Sequence, residues 1–407
     1  MYSLTTVINK KRLKLLLIFL FFITIPLKNN YNSFSLIVLL VFTICNYKKF
    51  DLSIFKSFFP LIGYFLLVLI SLIYTNNLER GVEYLTATLP FVLFPLIFST
   101  MKVQPSELKQ LFKGYIIWLF ILIFFSELSI IIKILNNGDS LFLLFRKDYS
   151  YITLGEVIGI HPPYMVLLMS FPIFYIIEKF ENTGINKYLQ VFILLVFFFY
   201  IIHLSSRLPM VSLLGISFLI IYKRLSKKIG VAKSIISLFT ILILTSLILY
   251  NVRSTRYRFQ ELFGMQYANG VYIKSAPLKL LQWTAGLKAN SNLIVGNGMG
   301  DANKDITKSN YNEGLYKFVE LKYNAHNQYI QTFVGIGVLG VLCLFFILYY
   351  FFIANSSSYL SLTSKAFFVY LLVVFLTESY LERHHGLVFI SFIMCLTFSK
   401  ENKSLQL

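Results

Sequence analysis

Charge is what this 407-residue chain has least of: Asp, Glu, Lys and Arg together make up 14% of it, against about 25% in soluble domains. Acidic residues are the scarcer sign, 18 against 37 Lys and Arg. The three cysteines, Cys45, Cys343 and Cys395, sit at unrelated spacings inside apolar runs. That pattern fits neither a disulfide framework nor a metal site, and it leaves them as packing residues. No small-residue cleavage site follows the basic, apolar start KKRLKLLLIFLFF, and a second apolar run comes within a few residues, so the start reads as an uncleaved first span. No internal repeat, low-complexity tract or separate soluble domain is visible. The formal surplus of +19 would point to nucleic acid in a soluble chain, but here the basic residues fall between apolar segments, which argues against nucleic acid as a partner.

What the chain has in abundance is apolar surface: 57% hydrophobic residues and a mean hydropathy of +0.71. Runs near 13–27, 31–45, 56–74, 83–99, 111–132, 161–178, 188–203, 208–222, 234–250, 326–353, 365–381 and 386–399 predict an all-α polytopic integral membrane protein with about 12 transmembrane helices. With the N-terminus in the cytoplasm, twenty Lys and Arg lie in or beside cytoplasmic segments and seven in short outer ones. That bias sets the orientation. Two outer segments are large, 134–160 and 251–325, the second lying between the ninth and tenth spans. The chain thus divides into residues 1–250 with nine spans, the partly helical loop 251–325, and residues 326–407 with the last three.

The loop 251–325 has ten Lys or Arg against five Asp or Glu, so it offers positive charge to an anion at the outer membrane face. A helix from Ser275 is expected there, with Pro277 in its first turn and Leu280, Trp283 (or Thr284) and Leu287 on its apolar face. Arg258 and Leu262 in RYRFQEL stand one helical turn apart, with Arg253 and Arg256 alongside. A guanidinium fork binds phosphate oxygens bidentately and keeps its proton, so three arginines beside a membrane suit a diphosphate, as they also suit lipid headgroups. Arg207 in HLSSRLPM falls between two apolar runs at the outer boundary. GNGMGD has G-x-G-x-G spacing without a βαβ unit, so it reads as a tight turn whose amides could cradle an anion.

The densest stretch is NAHNQYIQTFVGIGVLG, from Asn324 to Gly340. Asn324 reads as the N-cap of a helix carrying His326 in its first turn, where the helix dipole would keep the imidazole neutral, as a general base requires. Gly337, eleven residues on, falls on the same helical face. In EVIGIHPPY, His161 opens a span and reads as a structural cap, with Glu156 just before it. In TESYLERHHG, Glu378 lies close to membrane depth with Arg383 as its natural partner, and the pair His384 and His385 lacks a third ligand for metal.

Together these features resemble the O-antigen ligase and O-antigen polymerase superfamily, membrane glycosyltransferases that use polyprenyl-diphosphate-linked glycans. His326 with Asn327, Tyr329 and Gly337 is similar to the family's histidine motif, Arg258 and Leu262 to its R-x-x-x-L motif, Arg207 to the arginine after its central spans, and GNGMG to its glycine turn. The resemblance implies inverting transfer with no metal and no cofactor. It makes His326 the catalytic base and gives the donor diphosphate to Arg207, Arg258 and Lys279, the last standing where many members have arginine. Asn327, Gly337, His161, Glu378 and Arg383 become supporting residues. The implied partners are a polyprenyl-diphosphate-linked glycan donor, a lipid A core or other glycan acceptor, and membrane lipids. The implied location is the bacterial inner membrane, with the active site facing the periplasm. Ligase, polymerase and protein O-glycosyltransferase need the same residues, and a lipid-linked sugar transporter is the alternative of another class.

Overall fold

In lipid a backbone N–H or C=O has no water to pair with, so apolar runs of about 20 residues coil into helices that satisfy themselves. The computed structural model describes residues 2–398 except 147, 253–255, 257–264, 269–270, 275–277 and 355–358. Among them, five helices are long and apolar enough to cross a membrane: Leu78–Thr100, Pro105–Asn136, Lys187–Leu204, Arg207–Ile229 and Gln328–Ala354. A sixth span arises if Ile152–Ile158 and Pro162–Glu178, bent by 68°, count as one. Asn29–Cys45, Phe59–Ser71, Ser361–Val374 and His384–Phe398 are shorter apolar helices. Each lies on an apolar run of the sequence, and by length and composition five or six of the described helices make full spans. The described residues are helical apart from turns and one antiparallel hairpin, Met265–Ala268 paired with Val271–Lys274, in a loop expected to be only partly helical.

The chain folds as two units, each assembled from separate stretches. The first comprises Met1–Cys45, Val103–Phe259 and Tyr359–Tyr370. Its central element is Pro162–Glu178, buried from Pro162 to Ile177. Pro162 and Pro163 open that helix where no N–H is needed, and Gly159 takes the left-handed turn before it. Lipid gives helices little hydrophobic reason to associate, so close contact must hold them together. Accordingly, Phe22 stacks on Tyr115 with ring centroids 3.7 Å apart, Trp118 donates from Nε1 to the Ile23 carbonyl at 2.8 Å, and Lys14 pairs with Glu107 at 2.8 Å.

The second unit comprises Asn46–Lys102, Gln260–Ser358 and Leu371–Leu407. His384–Phe398 is its buried helix, in contact with Pro90–Thr100 through Phe94 and Phe98, both against Phe392. The helices Leu278–Lys288 and Ala302–Asn312 close over the start of Gln328–Ala354 with a small core of Ala302, Ile306, Ala325, Ile330 and Val334, joined by Trp283 and Ala289. The apolar face expected of the first of these helices is corrected. Leu280 and Leu287 are exposed, and Gln282 and Ala285 face inward. Neither leucine is needed, because small side chains on this face let the helices approach: a Cβ on Gly286 would meet Ile330 at 2.7 Å. Of the cysteines, Cys395 is buried while Cys45 is exposed.

Candidate active site

The site in the second unit begins with a helix that starts later than the sequence suggests. Gln328–Ala354 is capped by Asn327, whose Oδ1 accepts from the N–H groups of Tyr329 at 2.9 Å and Ile330 at 3.1 Å. Asn324 is not the cap. Its Oδ1 accepts from the His326 N–H at 2.9 Å in an Asx turn, so His326 stands before the helix rather than in its first turn. There His326 holds φ at +43°, a left-handed backbone that a non-glycine residue adopts only when its surroundings impose it.

The imidazole is set by a partner 52 residues away in sequence: Nδ1 of His326 lies 3.2 Å from Oε2 of Glu378. The Ser379 N–H donates to the other oxygen at 3.3 Å, and the Tyr323 ring stands edge-on to the histidine at 5.0 Å. The Glu378 side chain is 7% exposed and that of His326 19%, so the pair is shielded while the ring keeps an opening. A carboxylate only accepts, so Nδ1 carries the hydrogen and Nε2 presents its lone pair. Such an arrangement can take a proton from a hydroxyl. Lys279 joins the same cluster, its ammonium 3.4 Å from the Thr377 carbonyl next to Glu378. Arg383 lies exposed just before the His384–Phe398 helix.

Beneath the histidine runs a buried polar network that sequence reasoning missed. Gln328 donates to Thr332 at 3.1 Å and accepts from the Leu381 N–H at 2.8 Å. Gln331 accepts from the Ala325 N–H at 3.1 Å and donates to Asn303 at 2.8 Å. Glu382 lies near Arg80, Asn303 and Tyr84, and burial pushes its carboxyl up to about 7 despite the lowering effect of these neighbours. The only signal in the sequence is a second carboxylate one helical turn after Glu378.

Gly337 departs from the shared helical face expected of it. At φ +70° and ψ −162° it interrupts Gln328–Ala354, so it and His326 do not share a continuous helical face. The turn 292–298 fills the break. Its Asn297 and Gly298 N–H groups donate to the carbonyls of Val334 at 2.8 Å and Gly335 at 3.0 Å, and its Leu293 carbonyl accepts from Val338 at 2.8 Å. Non-helical backbone is thereby satisfied by protein rather than lipid. The Gly296 N–H is bonded to the Asn292 carbonyl and the Met299 N–H to Ser71. The amides of GNGMG are therefore engaged in docking rather than arranged as an anion cradle. Asp301 completes the dock by accepting from Thr75 and Asn76.

Arg207 and His161 lie in the first unit. Arg207 opens the Arg207–Ile229 helix after a left-handed Ser205 and an extended Ser206 at the N-cap position. His161 stands at the N-cap position of Pro162–Glu178 but makes no capping hydrogen bond with its side chain, so the capping expectation is corrected. Its ring lies between those of Tyr151 and Tyr164. His203 is fully buried with Nδ1 3.0 Å from both oxygens of Glu127 and Nε2 3.0 Å from the Leu144 carbonyl. Arg253, Arg258, Leu262, Ser275 and Pro277 lie outside the described residues, while Arg256 places its guanidinium over the Tyr250 ring at 5.6 Å. Among the described residues no three His, Cys, Asp or Glu side chains converge as metal ligands.

Residues 192–345 match a family model described as O-antigen ligase. The matched stretch contains Arg207, Arg258, Lys279, His326, Asn327 and Gly337, whereas His161, Glu378 and Arg383 fall outside it. No curated protein matches the chain.

Proposed function

We propose that this multi-pass membrane protein, whose residues 192–345 match a family model described as O-antigen ligase, transfers a glycan from a polyprenyl-diphosphate carrier to an acceptor hydroxyl at the periplasmic face of the inner membrane. The observation that carries this reading is the His326–Glu378 pair at 3.2 Å. A diphosphate held by cations is already a competent leaving group, so the nucleophile is what needs help, and a histidine oriented by a carboxylate supplies it.

In this reading Nε2 of His326 takes the proton of the acceptor hydroxyl as that oxygen attacks the anomeric carbon. The bond from that carbon to the diphosphate oxygen breaks, and the electron pair leaves with the polyprenyl diphosphate. Attack opposite the leaving group inverts the anomeric centre, and neither a metal nor a cofactor is called for. Arg207, Arg258 and Lys279 hold the diphosphate, and Lys279, beside Thr377 and Glu378, brings a cation close to the base. Glu378 fixes the tautomer, Asn327 starts the helix below, and Gly337 seats the glycine turn against it. His161 and Arg383 line the supporting structure.

The acceptor proposed is lipid A core, which makes the reaction O-antigen ligation. A strain lacking the protein distinguishes the possibilities. Complete loss of long-chain lipopolysaccharide with lipid-linked polymer accumulating supports ligation. Lipopolysaccharide stopped at one repeat identifies polymerisation, unchanged lipopolysaccharide with glycan missing from proteins identifies protein glycosylation, and lipid-linked glycan trapped on the cytoplasmic side would make the protein a transporter.

A further inference from the structure

His203 and Glu127 form a buried pair in the first unit that the proposed transfer does not use. The histidine stands in the last turn of Lys187–Leu204, with the Phe145 ring edge-on to it at 5.1 Å and the Phe199 ring at 6.2 Å. Glu127 reaches it from Pro105–Asn136. Nδ1 of His203 lies 3.0 Å from each carboxylate oxygen, and Nε2 lies 3.0 Å from the carbonyl of Leu144, on the loop between Pro105–Asn136 and Ile152–Ile158. On that loop Arg146 pairs with Asp148 at 2.7 Å and Asp139 accepts from the Tyr149 hydroxyl, so among the described residues the charge that meets His203 is that of Glu127.

Both ring nitrogens therefore face acceptors. A carbonyl oxygen has no hydrogen to give, so Nε2 must carry one. A neutral ring would then turn the bare lone pair of Nδ1 onto the lone pairs of a carboxylate, in a buried site where an unmet polar group is costly. The equal distances to the two oxygens match one N–H shared between them rather than an acid hydrogen seated on either. His203 is accordingly an imidazolium that donates from both nitrogens, a buried cation whose anion and whose second acceptor are both in place.

What this cation fixes is the corner that leads to Arg207. The Tyr151 N–H donates to the His203 carbonyl at 3.4 Å, so the loop meets the end of the helix through both the backbone and the side chain of one residue. Two residues after His203, the N–H and the hydroxyl of Ser205 both donate to the Ile202 carbonyl at 3.0 Å. Tyr151 and Ser205 hold φ at +56° and +48°, left-handed values that side-chain-bearing residues keep only when their surroundings impose them. Ser206 then takes the N-cap position and Arg207 opens its helix. We infer that His203, held as a cation by Glu127, is a positioning residue for Arg207: it pins the loop carrying Leu144 and Tyr151 to this corner and so sets where the Arg207–Ile229 helix begins.

This inference rests on the reading of Arg207 as a ligand of the donor diphosphate. The test uses the full-length protein in lipid nanodiscs. In nitrogen NMR of isotope-labelled histidine at neutral pH, the signals that His203→Phe removes should show hydrogen on both ring nitrogens. In Glu127→Gln, whose amide can itself donate to Nδ1, they should show it on one. A bare nitrogen in the parent overturns the charged pair. Ser150, buried on the same loop, reports its closure: Ser150→Cys should resist a water-soluble maleimide on its own and react when combined with His203→Phe, and protection in both overturns the pin. His203→Phe should also raise the KM for an undecaprenyl-diphosphate-linked oligosaccharide about 10–100-fold, the scale on which small misplacements act, with kcat held at saturating donor. Phe142→Ala, at a residue 99% exposed on that loop, should leave the KM unchanged. A parental KM in His203→Phe, or a fall in kcat alone, overturns the positioning role. Should His203→Phe fail to insert, His203→Gln, which can donate to Leu144 or to Glu127 but not to both, is read by the same label and the same KM. If Arg207→Lys raises the donor KM and the His203 variants do not, only this inference fails; if Arg207→Lys keeps the parental KM, the reading of Arg207 itself fails.

Discussion

Gly296 and Gly337 meet backbone to backbone, so close that a Cβ on Gly296 would lie 2.6 Å from the Gly337 nitrogen and one on Gly337 would lie 2.2 Å from the Ile294 carbonyl oxygen. Both hold positive φ, +73° and +70°. The glycine turn and the broken helix are one structure, and the break lies eleven residues below His326 in sequence.

Gly337→Ala should therefore cost much more than a helix-surface substitution. Backbone strain alone accounts for about 1–3 kcal/mol, and the clash with Ile294 adds to it. Thermal unfolding of the detergent-solubilised protein, followed by loss of the monodisperse species, should show a markedly lowered midpoint. Gly215→Ala, in a helix where a new Cβ meets nothing within 4 Å, should leave it unchanged or raised. Equal midpoints for the two variants would deny that Gly337 is confined by the turn.

Glu378→Gln removes the carboxylate that selects the tautomer of His326 while preserving its volume. An amide facing Nδ1 can donate as well as accept, so the lone pair need no longer point to the substrate. The expected outcome is a fall in kcat of about 10–10³-fold with the donor KM held, measured by transfer of a fluorescent lipid-linked glycan. A variant with parental kcat would make the 3.2 Å contact merely structural.

The cations divide differently from the base. Arg207→Lys and Lys279→Gln should weaken retention of the lipid-diphosphate donor and raise its KM. Lys keeps the charge of Arg207 but not the bidentate fork, and Gln removes the charge from the cluster beside Thr377. Co-purification of labelled donor with each variant measures this directly, and undiminished retention would reduce either residue to a surface charge.

The helices were legible in the sequence, whereas the site was legible only in part. Apolar runs locate Pro105–Asn136 or Gln328–Ala354 because each stretch decides its own structure once lipid is the solvent. The start of Gln328–Ala354 was misplaced by three residues because Asn324 and Asn327 are equally good caps. Only the tertiary anchoring of Ala325 by Gln331 assigns the Asx turn to the first and the cap to the second. Spacing puts Gly337 on the His326 face, since helical periodicity cannot report that the turn 292–298 inserts there. Glu378 stands out in the sequence, yet a pairing across 52 residues has no periodic signature, and the hydrogen bonds from Ala325 through Gln331 to Asn303 join a turn to two helices.

The raised pKa of Glu382 also has a thermodynamic consequence. Burial lifts it from 4.5 to about 7, so between those values the folded protein binds more protons than the unfolded chain. Its contribution to stability is full below pH 4.5 and is lost as pH rises through about 7. Glu382→Gln, which cannot ionise, should unfold at a higher temperature than the parent at pH 8 and at a similar one near pH 5. A midpoint lowered at pH 8 would contradict this placement of the carboxyl.

The central claim is that His326 is the general base and that binding the donor is the work of other residues. Its most direct test is a paired measurement on His326→Ala purified at parental yield: retention of the labelled polyprenyl-diphosphate-linked glycan, and single-turnover transfer to acceptor across the accessible pH range. Removal of a general base costs about 10²–10⁴-fold in rate. The expected result is donor retained at the parental level with transfer reduced by that factor at every pH. Transfer at the parental rate, or donor lost while the remaining turnover is normal, would contradict the claim and return the base to His161 or Glu378.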